Sequence, residues 1–225
     1  MVEAVLRARS RRRRGHDRLV LAAARYAALG WPVCPGAWPP GRQSPAGTSG
    51  RACSCDRLGC PAPGAHPLSP AWKLQATSDP AAVAALWSLA PQAGILLVTG
   101  RAFDVLDVPE AAGLAALRRI ERAGVTPGPV ATGTGERMLF FVASRAALAE
   151  DDEWWSCHLD CVPEVVPAVT GLRWHCRDSY VLAPPSRLPG GLAARWIIAP
   201  AAGGPLPDAL RLLVPLADAC EEIPQ

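Results

Sequence analysis

The chain has 225 residues, half of them apolar and 19% charged, enough apolar surface at this length to bury a core, which excludes a wholly disordered chain. No uninterrupted apolar run approaches the ~18 residues needed to cross a bilayer, so a membrane role through a spanning helix is excluded as well. The net charge of +3 is uneven: residues 1–18 hold seven Arg against Glu3 and Asp17, a sum of +5, whereas the 16 basic and 18 acidic residues of 19–225 sum to −2.

The arm at 1–18 has two readings. Arg11 to Arg14, with Arg7, Arg9 and Arg18 around them, attract phosphate through counterion release, or they form a solvated, unstructured tail. The residues that follow, Leu19 to Leu29, imitate a signal peptide, but Arg25 interrupts the apolar run. Leu19, Ala23, Tyr26 and Ala27 fall at helical spacing between a capping Asp17 and a terminating Gly30. An amphipathic first helix and a cytoplasmic chain are therefore expected.

Without an export signal, eight Cys should mostly be reduced thiols, so clustered ones point to metal before disulfides. Cys53, Cys55, Cys60 and His66 lie in a Pro/Gly-rich insert at 50–67. Three soft thiolates and an imidazole suit a closed, tetrahedral structural zinc site, which would fold a loop too short and polar for its own core. The spacing Cys-x-Cys-x4-Cys-x5-His is tighter than the usual Cys-x2-Cys knuckle. Cys157, His158, Cys161, His175 and Cys176 are too irregularly placed to read as a second ligand set, and are expected to be buried or incidental.

From Ser78 or Asp79 a capped helix runs through Pro80 to Ala90, with Val83, Leu86, Trp87 and Leu89 repeating along it. Ile95 to Val98 and Phe103 to Val108 read as buried strands joined by a turn at Gly100, followed by a helix from Pro109 or Glu110 to about Ala123. Val130 and Met138 to Val142 add strands around the Gly-rich turn Thr132-Gly-Thr-Gly135. Leu172 to Cys176 and Tyr180 to Ala183 read as a hairpin across Arg177 and Asp178, Arg195 to Ile198 as an edge strand, and Leu210 to Leu216 as a last helix capped by Asp208. Strands outnumber the helices between them, which predicts an α+β fold with a mixed sheet rather than a doubly wound parallel one.

Asp104 and Asp107 are three apart on one short strand, so the two-residue period sends them to opposite faces and away from a shared metal. Asp107 and Glu110 straddle the strand end. They converge as a Mg²⁺ pair if the chain turns at Pro109, or stand as a lone acid and a helix-start Glu favoured by the dipole.

In order along the chain, several segments resemble one known family. They are Tyr26-Ala-Ala-Leu-Gly-Trp-Pro-Val33, the Cys-x-Cys insert ending in Pro-Gly-Ala-His-Pro67, Gly94-Ile-Leu-Leu-Val-Thr-Gly100, Val105-Leu-Asp-Val108, Thr132-Gly-Thr-Gly135 and Ser179-Tyr-Val-Leu-Ala-Pro-Pro-Ser186. Together they resemble the bifunctional DNA primase/polymerase N-terminal domain, over about Leu19 to Ile198. The resemblance implies the archaeo-eukaryotic primase fold, an RRM-like mixed sheet with an additional α/β unit, here spanning 19–200 with a C-terminal helix and tail at 201–225.

It also implies nucleotidyl transfer through an Asp-x-Asp pair, a His after the Gly-rich turn and a third Asp before the segment leading to Pro-Pro-Ser. The acids would hold two divalent ions, magnesium or manganese, and the His would contact the incoming triphosphate. Asp107 matches the first acid. The second falls on Pro109, with Glu110 the nearest substitute, the His falls near Arg137 or Met138, and the third acid falls near Gly171. After a shift of alignment, Asp160, Glu164 or Asp178 would take that last place. The expected nucleotide contacts are Thr132, Gly133, Gly135 and Arg137.

DNA and nucleoside triphosphates are the implied partners, with nucleotidyl transfer weak or lost. The alternative is a non-catalytic nucleic-acid-binding or replication-associated protein that kept the fold, using the Arg arm and aromatics such as Trp154 and Trp155 for stacking. No Gly-x4-Gly-Lys-Ser/Thr phosphate loop occurs, so any unwinding would come from a separate helicase.

Overall fold

The computed structural model describes residues 15, 17–39, 53–55, 57–144 and 171–223. The Arg run at 11–14, Cys157, His158 and Cys161, the Trp154-Trp155 pair, and the alternative acids Asp160 and Glu164 lie outside them. In chain order the elements are α1 (17–28), β1 (Val33–Gly36), α2 (Trp72–Gln75), α3 (Pro80–Leu89), β2 (Gly94–Val98), β3 (Phe103–Pro109), α4 (Glu110–Arg122), β4 (Val130–Thr132), β5 (Arg137–Ala143), β6 (Arg173–His175), β7 (Tyr180–Ala183), β8 (Trp196–Ile198) and α5 (Ala209–Glu221). They form two compact units, one of Met1–Leu97 with Leu182–Ala194, the other of Val98–Val181 with Arg195–Gln225.

In the first unit, α1 buries Leu19, Ala23, Tyr26 and Ala27, the stripe expected from the sequence. Gly30, at φ +77°, stops it, and the Trp31 N–H turns back to the Tyr26 carbonyl, the left-handed ending that glycine permits without a Cβ clash. The Tyr26 hydroxyl donates to the Pro184 carbonyl at 2.6 Å. α3 is capped by Asp79, whose carboxylate accepts from the N–H groups of Ala81 and Ala82. The helix buries Val83 and Trp87, and the Trp87 indole donates to the Ala93 carbonyl. The sheet order is β1-β2-β7, with β1 antiparallel to β2. The buried Ser186 hydroxyl accepts from the Ile95 N–H at 2.8 Å, which accounts for a serine after Pro184-Pro185 by backbone pairing alone.

The second unit is a five-stranded sheet, β6-β3-β5-β4-β8, antiparallel at all four ladders. Its register decides which residues share a face. Leu106, Val108, Met138, Phe140 and Trp174 point to one side, where α4 brings Ala112, Ala116, Leu117 and Ile120 and α5 brings Leu212 and Leu216 into one core. α4 approaches closely because Gly113 stands over Met138. The opposite side carries Phe103, Val105 and Asp107 of β3, with Leu139 and Phe141 of β5. Phe141 packs against Phe103 and Trp196, at ring separations of 5.3 and 5.1 Å.

Two expectations are corrected. The strands form two sheets instead of one mixed sheet, and β6 and β7 are not a hairpin: β6 pairs with β3 in the five-stranded sheet, whereas β7 lies beside β2 in the other. The chain does turn at Asp178, which has φ +62°, but each strand joins a different sheet. The connection after β2 is bound to the one after β6, since Thr99 donates from its N–H to the Ser179 carbonyl and from its hydroxyl to the Cys176 carbonyl. A Cβ on Gly100 would lie 2.2 Å from the Arg177 Cα, so only glycine lets these two connections run side by side.

Candidate functional site

Near its end β3 carries Asp107, buried to 6% exposure on the sheet face opposite the helices. The sheet register places Arg173 of β6 directly across from it. The same ladders place Arg137 beside Pro109, and Gly171 lies close enough that a Cβ there would be 3.0 Å from the Pro109 ring. Asp107, Pro109, Arg137 and Gly171 therefore lie together in space.

They meet as an ion pair. The Arg137 guanidinium donates through Nε to Asp107 Oδ1 at 2.7 Å, and through Nη2 to the carbonyls of Asp107 and Gly171 at 2.8 and 2.7 Å. The second carboxylate oxygen faces His175 Nε2 at 3.2 Å. An ionised carboxylate only accepts, so Nε2 donates to it, while Nδ1 is hydrogen-bonded to the Ser179 hydroxyl at 2.9 Å. Both Asp107 oxygens are thus engaged.

Glu110 starts α4, and its backbone N–H donates to the Glu136 carbonyl. Among the described residues, Asp107 belongs to no group of three or more His, Cys, Asp and Glu side chains able to share an ion, with Glu110 and Asp178 included in that count. The Gly-rich turn is closed on itself. The Gly133 N–H donates to the Arg137 carbonyl at 2.6 Å, and the Thr132 hydroxyl is bonded to the backbone N–H of Arg195 at 3.0 Å. Thr132 pairs with Met138, whose side chain lies in the helix-backed core, so it belongs to the other side of the sheet from Asp107. Gly135, at φ +67°, is exposed at the tip.

His175, expected from the sequence to be buried or incidental, instead bonds Asp107, and Arg173 beside it was given no role. The signal was the alternation in Leu172-Arg-Trp-His175. Leu172 and Trp174 are buried, which sends Arg173 and His175 together to the other face.

A separate cluster lies in the first unit. One ligand atom each from Cys53, Cys55, Cys60 and His66 falls within 4.8 Å of the others. His66 Nδ1 donates to the Pro67 carbonyl at 2.9 Å, which leaves Nε2 as the free lone pair, 3.2 Å from Cys53 Sγ. The Gly64 N–H donates to the same sulfur at 3.3 Å. A fixed tautomer and an amide bond to sulfur are what metal-bound imidazole and thiolate require around them. The Cys55 thiol is lowered to about 7, chiefly by a backbone hydrogen bond at Arg57, while burial raises Cys60. The donor set suits a soft, tetrahedral ion such as zinc. The loop is tied to β1 and its continuation: Ala37 N–H donates to the His66 carbonyl, and Trp38 and Ser54 exchange bonds.

The two units define a mixed α+β protein with an ion-paired acid, Asp107, in one and a Cys/His cluster in the other. The chain belongs to the bifunctional DNA primase/polymerase N-terminal family, whose model matches residues 23–209. No curated protein and no solved structure gives a significant match. Among the described residues no helix is long and apolar enough to cross a membrane.

Proposed function

We propose that this is a primase/polymerase domain that binds nucleotides and DNA but no longer transfers nucleotides. The observation that carries the reading is the saturation of Asp107 by Arg137 and His175; the family resemblance adds that Pro109 and Gly171 fall where the other acids are expected. A two-metal reaction needs anionic ligands that steady both the attacking and the leaving oxygen. One carboxylate already paired to a guanidinium supplies neither site, and loss of even one preorganised group costs about 10²–10³ in rate.

The five-stranded sheet backed by α4 and α5 corresponds in this reading to the RRM-like half of the archaeo-eukaryotic primase fold, and the first unit to its additional α/β part. The Cys53, Cys55, Cys60 and His66 cluster would hold a structural zinc ion, which supplies folding energy to the loop and takes no part in transfer. The Arg arm at 1–18 adds sequence-independent attraction to DNA.

The test is primer extension with Mg²⁺ and with Mn²⁺, run beside Asp107→Ala. We expect no incorporation above background in either protein. Metal-dependent incorporation that disappears in the variant would overturn the reading.

A further inference from the structure

We propose that the β3–β5–β6 face around Asp107 binds a phosphate group directly through Arg137 and Arg173, without a divalent metal. The inference rests on the reading just given and names the ligand chemistry of the same site.

It starts from the sign of the charge. A site with three acids and a neutral His carries −3 and attracts phosphate only through bound cations. Here Asp107, Pro109, Arg137 and Gly171 sum to zero, and Arg173, directly across from Asp107, adds a further positive charge. Two guanidinium groups beside one already paired carboxylate disfavour a bound cation there and favour an anion.

The donors are also available. Arg173 is exposed, and among the described residues nothing bonds its guanidinium. Arg137 uses Nε and Nη2, which leaves Nη1 with no bond to a described residue. Its three existing bonds hold the guanidinium plane in place, so little side-chain freedom is lost when an oxyanion arrives. His175, held between Asp107 and Ser179, keeps the carboxylate occupied. Glu110 and Glu136, the acids nearest in sequence, begin α4 and sit in the β4–β5 turn, and neither bonds to Arg137 or Arg173. Guanidinium pairs suit phosphate because parallel N–H donors match two of its oxygens.

The ligand is a phosphate oxyanion, supplied by a nucleoside triphosphate or by the backbone of single-stranded DNA. The experiment measures binding of each to the full chain, zinc-loaded and dialysed into magnesium-free buffer, with and without added Mg²⁺. No strong chelator is used, so the Cys/His cluster stays intact. Binding should persist without Mg²⁺ and weaken about 10- to 100-fold in Arg173→Ala, the loss of one charge-assisted contact, with Arg173→Lys in between and all three proteins melting at the same temperature. The triphosphate and DNA arms show which source the site takes.

Binding that appears only with Mg²⁺, binding unchanged in Arg173→Ala, or no binding of either ligand would overturn the inference. Primer extension on the same samples separates the two claims. Magnesium-dependent binding without incorporation sinks only the inference, whereas metal-free binding together with incorporation sinks only the lapsed-enzyme reading.

Discussion

Arg137 and Asp107 show how one substitution changes the meaning of its neighbours. The carboxylate side chain keeps 8% of its exposure and the guanidinium 13%, so removal of either partner strands the other in a poorly hydrated place. Arg137→Ala should therefore cost about 3 kcal/mol, the lower end for breaking a buried pair because some exposure remains. Replacement of both by apolar residues of similar volume, Arg137→Met with Asp107→Leu, should cost far less than the two single changes added. Urea midpoints of the four proteins measure this directly, and equal, additive losses would show that the pair contributes no coupling. Of this arrangement, Asp107 and Arg137 were singled out along the chain. That Arg137 grips Asp107 and the Gly171 carbonyl depends on register.

At the scale of elements, α4 illustrates a local rule opposed by packing. Gly113 sits inside the helix, where alanine would be favoured by about 1 kcal/mol. Yet a Cβ there would lie 2.7 Å from Met138 Sδ and 2.8 Å from Met138 Cβ, and a Cβ cannot swing aside as a side-chain tip can. Gly113→Ala should accordingly destabilise, by about 1–3 kcal/mol for an overpacked core, and Met138→Ala should relieve part of that loss when the two are combined. Thermal melts of the double-mutant cycle decide it, and a stabilised Gly113→Ala would mean that α4 can lift from the sheet without cost.

The longer helices were legible because each carries its own signals, whereas α2, four residues with no capping side chain and no buried face, carries none. Asp79 caps α3, Gly30 stops α1, and the Ala112, Ala116 and Ile120 spacing faces α4 inward. Strand positions were legible as well, from short apolar runs between turn residues. Strand partners were not. Leu172 to Cys176 and Tyr180 to Ala183 have the form of a hairpin, and no local feature says that β6 prefers β3 and β7 prefers β2.

For the whole molecule, the metal cluster and the strand-end site belong to different units and should respond separately. Chelation of a tightly bound zinc ion should release the 53–66 loop and its bonds to the strand continuation. Amides such as Ala37 and Ser54, which donate to the His66 and Trp38 carbonyls, should then lose protection from hydrogen exchange. Amides of β3 and β5, paired across seven registers, should keep theirs. Elemental analysis should find one zinc ion per chain, reduced in Cys55→Ser. A chain that holds no metal, or an exchange pattern unchanged by chelation, would refute a structural role for the cluster.

The amino-acid sequence by itself determined the longer helices, the strand segments from β2 onward, the four metal-ligand candidates and the family, because caps, periodicity, thiol spacing and motif order are local properties of the chain; β1 and the four-residue α2 carry no such signal. Only the tertiary structure decided that there are two sheets, that Thr132 lies on the far side from Asp107, and that Arg137 and His175 grip one carboxylate with Arg173 across the ladder from it. Those facts depend on which strands pair and in what register, a choice made by burial of faces from distant parts of the chain.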